Sequence, residues 1–87
     1  MSLTPGTPRS GVTVAGALTV APYNLYRRGL TFQNTSDTAM MLREDGGDAS
    51  STSGYLISTG DEVAVSTNQL ISVWCSVAGK TFAATEF

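Results

Sequence analysis

A chain of 87 residues amounts to one domain, near the size at which only roughly 60–65% of the unfolded chain's surface can be buried. Charged residues make up 14% of it and hydrophobic residues 41%, against a charged share of about 25% in ordinary soluble domains. The net charge is -2 and the five basic residues, Arg9, Arg27, Arg28, Arg43 and Lys80, form no stripe, which speaks against a nucleic-acid groove.

Histidine is absent, which removes the commonest general base, the commonest metal ligand and every Ser-His or Cys-His nucleophile pair. The chemistry of a catalyst is therefore not expected here. The single cysteine, Cys75, cannot form an internal disulfide, and its place on the apolar face of a strand reads as a buried, inert thiol. The first residues show no basic region followed by an apolar run, and no segment approaches the ~20 apolar residues of a membrane helix. The expectation is a chain made in the cytoplasm, with no membrane partner.

In chain order, residues 1–10 hold Pro5, Gly6 and Pro8 without apolar periodicity. They read as an extended arm, either a frayed end or a segment that orders on a neighbouring subunit, ahead of a single domain over 11–87. In 11–20, Val12, Val14, Leu18 and Val20 share parity, which predicts one bulged strand or a hairpin turning at 15–17. Pro22 ends it. Residues 23–26 carry Tyr23 and Tyr26 into a clear strand where Leu30 and Phe32 face one way and Thr31 and Gln33 the other.

Residues 34–37 are turn formers, and 38–43 are expected to return as the second strand of a hairpin, with Met40 and Leu42 inward and Met41 outward. Residues 44–54 are polar and glycine-rich and read as a surface excursion. A short strand over 55–58, a tight turn at 59–61, and a strand with Val63 and Val65 inward follow. Residues 70–77 are the best central strand: Ile71, Val73, Cys75 and Val77 form one face, while Ser72 and Ser76 interrupt the other. That second face still carries Leu70 and Trp74, so it is expected to meet something, either a partner or an arm or loop of this chain that covers Trp74; Met41 and Phe87 raise the same question. Residues 78–80 are expected to close a last hairpin onto the strand over 81–87.

Seven or so short strands at turn spacings of about 8–12 residues predict an all-β fold, a small antiparallel β-sandwich or barrel with jelly-roll or Ig-like connections. The candidate interface residues are Trp74, Leu70, Met41, Arg27, Arg28, Phe87, Pro5 and Pro8; no catalytic, cofactor or metal residue is assigned. Glu44, Asp45 and Asp48 could surround a calcium ion, but the EF-hand order is absent and a solvated loop is the simpler reading. Arg27 and Arg28 are expected either to pair with a partner's acidic groups or to stand solvated at a strand entrance. Asn34-Thr35-Ser36 matches a glycosylation acceptor and is read as a turn. Tyr23, Tyr26, Tyr55 and Trp74, if lined up on one face, would suit a carbohydrate-binding module.

Taken together, the segments 28–36, 54–61, 68–75 and 78–80 with the closing Thr85-Glu86 resemble small β-sandwich virion proteins of tailed bacteriophages. The likeness lies in an Arg-x-x-Leu-x-Phe-Gln-Asn strand, met at Arg27, Leu30, Phe32, Gln33 and Asn34, in the Leu56-x-x-x-Gly60-Asp61 turn, and in Ala78-Gly79 before the last strand. It implies a non-enzymatic structural part of the particle, a capsid decoration or cement protein, or else a tail or head-fibre component. The implied partners are the major capsid protein or another virion protein and a second copy of the chain, as a homotrimer, with the virion as its location.

Overall fold

In the computed structural model, which describes residues 6–87, the alternating patterns become strands whose apolar sides meet between two sheets. The described residues form β1 (Thr7–Pro8), β2 (Gly11–Val12), β3 (Gly16–Ala21), β4 (Leu30–Asn34), β5 (Met40–Arg43), β6 (Tyr55–Ile57), β7 (Glu62–Val65), β8 (Ile71–Cys75) and β9 (Thr81–Glu86). One sheet, here sheet A, runs β1-β9-β4-β7, with β2 on the same edge of β9 as β1; the other, sheet B, runs β3-β8-β5-β6. All pairings are antiparallel. From β2 onward the chain changes sheet at every connection except β5 to β6, and this path is jelly-roll connectivity.

The core follows from parity. Leu30 and Phe32 of β4, Phe82 and Ala84 of β9, Met40 and Leu42 of β5, and Ile71, Val73 and Cys75 of β8 are all buried. The Phe32 and Phe82 rings stack with centroids 5.2 Å apart, an arrangement worth about 0.5–1.5 kcal/mol beyond the area it buries.

The connections differ from the expectation. The segments 34–38 and 78–80 arch from one sheet to the other and do not close hairpins, so Met40 and Leu42 meet Leu30 and Phe32 across the core. Asn34 directs the first arch. Its buried amide donates to the Thr38 carbonyl at 2.8 Å and the Ile57 carbonyl at 2.9 Å, and its oxygen accepts from the Ser36 amide at 3.0 Å and hydroxyl at 2.8 Å. The same turn chemistry serves an arch or a hairpin, because strand period does not say which sheet comes next.

Thr13 fixes another crossing. Buried, it donates its amide to the Lys80 carbonyl at 2.9 Å and its hydroxyl to the Val77 carbonyl at 2.7 Å, and it accepts from the Lys80 and Gly79 amides. The 11–20 stretch is therefore neither one strand nor a hairpin. Val12 and Val14 are exposed, β2 and β3 lie in different sheets, and the register shift falls between Thr19 and Ala21. Val77, expected on the inner face, lies past the end of β8 and is exposed.

Of the arm over 1–10, Pro5 lies outside the described residues. Thr7–Pro8 pairs with β9 of the same chain, Thr7 opposite Glu86 and Pro8 opposite Thr85. Proline fits there because an edge strand does not need every amide. Among the described residues, no helix is long and apolar enough to cross a membrane.

Candidate docking surface

The outer face of sheet B carries one continuous row of side chains. Ala17 of β3 stands opposite Trp74 of β8, Trp74 opposite Met41 of β5, and Met41 opposite Leu56 of β6. The neighbouring positions Leu18, Val73 and Leu42 face the interior, so alternation sends the row outward. Ala17 is exposed, Trp74 and Met41 are half-buried, and Leu56 is 64% exposed. Directly opposed side chains on an antiparallel pair have Cβ atoms about 4.5–5.5 Å apart, so the row forms a stripe across four strands. It contains no charged residue.

The next row toward the other end, Thr19, Ser72 and Arg43, is organised differently. Ser72 is fully buried; its hydroxyl accepts from the Ala49 amide at 2.7 Å and donates to the Gly47 carbonyl at 2.8 Å. Arg43 ion-pairs with Asp45 at 2.6 Å and donates to the Asp48 carbonyl and the Ser53 hydroxyl, both at 3.2 Å. The hydrogen bond from Arg43 holds the Asp45 carboxyl below its ordinary pKa and raises that of the guanidinium. Gly54 completes the fastening: its φ is +132° and a Cβ there would lie 2.7 Å from the Leu42 carbonyl oxygen. Ser72 therefore does not mark an open face. The 44–54 loop is tied down across that half of sheet B and leaves the Trp74 row uncovered beside it.

The same ties answer the calcium reading. The Asp45 carboxylate is paired with Arg43, and among the described residues no group of three or more His, Cys, Asp or Glu side chains could hold a metal ion. A groove of about 340 Å³ opens beside Tyr55, Arg43, Glu44 and Asp45, with the Tyr55 hydroxyl 3.3 Å from Glu44 Oε1. The four aromatics of the carbohydrate reading are not lined up on one face. Trp74 looks outward from sheet B, Tyr55 stands opposite the inward-facing Leu42 at the sheet edge, and Tyr23 and Tyr26 lie in the loop before β4.

The remaining candidates gather at the end of the sandwich where β9 finishes. Arg27 belongs neither to a partner nor to solvent. Its side chain is fully buried, pairs with Glu86 at 2.7 Å, and donates to the carbonyls of Pro22, Thr67 and Gln69. The physical reason is that three loop carbonyls and one carboxylate converge where the strand ends meet, and the planar guanidinium fork can answer all of them. Arg9 reaches the same carboxylate at 2.9 Å. Burial pushes the Glu86 carboxyl up, but the charge-assisted bonds from Arg27 and Arg9 outweigh it and leave the pKa lowered. Arg28 is exposed, and its amide, like that of Gly29, donates to the Phe87 carbonyl. Phe87 is 48% exposed, Pro8 is exposed, and Leu70 is half-buried one residue before β8.

The structure thus brings Trp74 and Met41 together, adds Leu56 and Ala17 to them, and sets Arg27, Arg28 and Phe87 elsewhere. Leu56 was read only as part of a short strand; its alternation with Ile57 held the signal, but a strand of three residues carries too little period to show it. Glu86 had no sequence signal beyond being an acid in an apolar strand.

No protein-family model, curated protein or solved structure compared with the chain matches it.

Proposed function

We propose that this protein is a non-enzymatic structural component of a tailed-phage particle, a capsid decoration protein that docks through the outer face of sheet B. The observation that carries the docking is the Ala17–Trp74–Met41–Leu56 row: apolar side chains across all four strands on one half of the sheet face, outside the core, with Ala17 and Leu56 exposed and Trp74 and Met41 half-buried. Aromatic and methionine side chains are the enriched anchors of protein interfaces, with lysine and glutamate depleted. A charge-free stripe strands no ion when a flat partner covers it. The particle itself is suggested by the sequence resemblance, to which the jelly-roll path adds compatibility, since virus shells use that architecture among others. Weak contacts repeated over a symmetric shell add through multivalency.

The test is co-sedimentation with the capsid shells of the phage that encodes the chain. Wild type should pellet with the shells and Trp74→Ser should stay in the supernatant while keeping its β-sheet circular dichroism. Equal pelleting of both proteins, or pelleting of neither, overturns the reading.

A further inference from the structure

The segment 6–12 is attached to the sandwich in an unusual way. β1 and β2 share one register on β9, Pro8 opposite Thr85 and Gly11 opposite Phe82, and are separated only by Arg9 and Ser10. Every residue from 6 to 12 is exposed except Arg9, which is half-buried. The ties are polar: the Arg9 amide donates to the Ala84 carbonyl at 2.8 Å, the Ala84 amide donates to the Ser10 hydroxyl at 3.0 Å, and the Arg9 guanidinium pairs with Glu86. Beside them, the backbone of Gly6 passes close to the Thr85 methyl and that of Gly11 over the Phe82 ring. The core cluster contains no residue of this segment, and Glu86 keeps Arg27 if Arg9 leaves.

Immediately after the segment stands Thr13, locked by four hydrogen bonds to residues 77–80. The strand can therefore lift from β9 as a unit, with Gly11 and Val12 as the pivot, while the sandwich behind Thr13 stays closed. Lifting exposes the hydrogen-bonding edge of β9 from Ala84 to Glu86. The strand that fits this edge has an arginine facing Glu86 and a serine at Ala84.

We propose that residues 6–10 exchange between copies: the segment of one chain pairs with β9 of a second copy, in the register it holds within one chain here. The occupant follows from complementarity, because the only charge in the segment, Arg9, meets the buried carboxylate of β9, and a second copy supplies the same groups in the same order. Exchange of an identical element loses no contact and is a low-cost route to a closed assembly, and strand addition at a sheet edge draws its affinity from main-chain hydrogen bonds. The surface lies on the edge of sheet A, so the inference goes beyond the docking of sheet B and stands or falls separately from it.

The test uses full-length chains in a Cys75→Ala background, one carrying Pro8→Cys and the other Thr85→Cys. The Arg9 amide bond to Ala84 makes Pro8 and Thr85 a non-hydrogen-bonded pair, in which side chains are closest, within the reach of a disulfide. After mixing at high concentration, refolding together and mild oxidation, the expected result is a disulfide-linked pair of two chains, several-fold more abundant than in either variant alone. The absence of a linked pair above those controls overturns exchange. Without any cysteine substitution, isotope-filtered NMR on mixed labelled and unlabelled wild type should show contacts between Thr7 of one chain and Glu86 of another; contacts confined to single chains contradict it.

Discussion

The outer faces of the two sheets come from the same alternation and carry opposite chemistry. On sheet A the outward positions are Thr31 and Gln33 of β4, Glu62 and Ala64 of β7, and Ala83 and Thr85 of β9, paired in rows across the sheet. The Thr35 and Thr81 hydroxyls bond each other at 2.9 Å beyond them. Threonine suits a strand that faces water: its branched Cβ favours the extended backbone and its hydroxyl remains solvated. On sheet B the corresponding row is Ala17, Trp74, Met41 and Leu56. Both sheets bury their inner faces in the one core, so the core of the sandwich explains neither choice. The contrast separates what a strand needs in order to fold from what its exposed side is for.

The largest effect expected of a single substitution belongs to neither face, and it calibrates the rest. Arg27→Met leaves three loop carbonyls and part of Glu86 without their buried donor, and breaking such a pair costs about 3–5 kcal/mol. Urea unfolding should show that loss, and docking should fall only as far as the folded fraction does. An Arg27→Met protein of wild-type stability would mean that the end of the sandwich is held by something else.

Trp74→Ser sharpens the contrast directly. Trp74 is half-buried in the free protein, and covering the rest of it in an interface contributes on the order of 1–2 kcal/mol, so shell affinity should fall by that amount while the urea midpoint moves less. A comparable loss of folding stability would place Trp74 among the groups that hold the sandwich, and the two faces would no longer differ in purpose.

Ser72→Ala tests the boundary between the open and covered halves of sheet B. It removes the hydroxyl that bridges the Ala49 amide and the Gly47 carbonyl, and a buried unsatisfied partner costs about 1–3 kcal/mol. Hydrogen exchange should accelerate at Ala49; protection as in wild type would show that the loop is secured without the Ser72 hydroxyl.

Acid acts on the same end as Arg27. Because the folded pKa of Glu86 is lowered, the stability it contributes is complete above the ordinary glutamate value of about 4.3 and is lost as pH falls through the lower folded value. Urea midpoints measured downward from pH 5 should decline less in Glu86→Gln than in wild type, and identical slopes would contradict this linkage. The smallest effect is expected on sheet A: Thr31→Ser should change both stability and shell affinity by no more than about 0.5 kcal/mol, and a docking loss as large as that of Trp74→Ser would move the interface to the wrong sheet.

How far these features could be read from the sequence follows from what alternation encodes. It placed Leu30, Phe32, Met40, Leu42, Ile71, Val73 and Cys75 in the core, because each of these runs long enough to show period two. It raised the question of Trp74 by the same rule. It was silent on which sheet each strand joins, since the buried amide of Asn34 and the buried hydroxyl of Thr13 do that by reaching residues 23 and 64 positions away. Ser72 and Arg27 misled for a related reason: a polar residue in a strand or just ahead of one reads as solvent-facing until its partners are seen, and here they lie in loops distant along the chain. The row itself needed the register, which joins four separate strands.

Trp74 is the one tryptophan of the chain, so a fluorotryptophan label reports on the centre of the row and nothing else. The most direct measurement is its fluorine NMR signal, with the solvent isotope shift that reveals exposure, before and after saturation with capsid shells. The account predicts a solvent-sensitive resonance for the free protein that loses this sensitivity, with a change in shift, in the bound state. A resonance that stays solvent-sensitive and unmoved while the protein sediments with the shells would contradict it, because the protein would then be docking through some surface other than the outer face of sheet B.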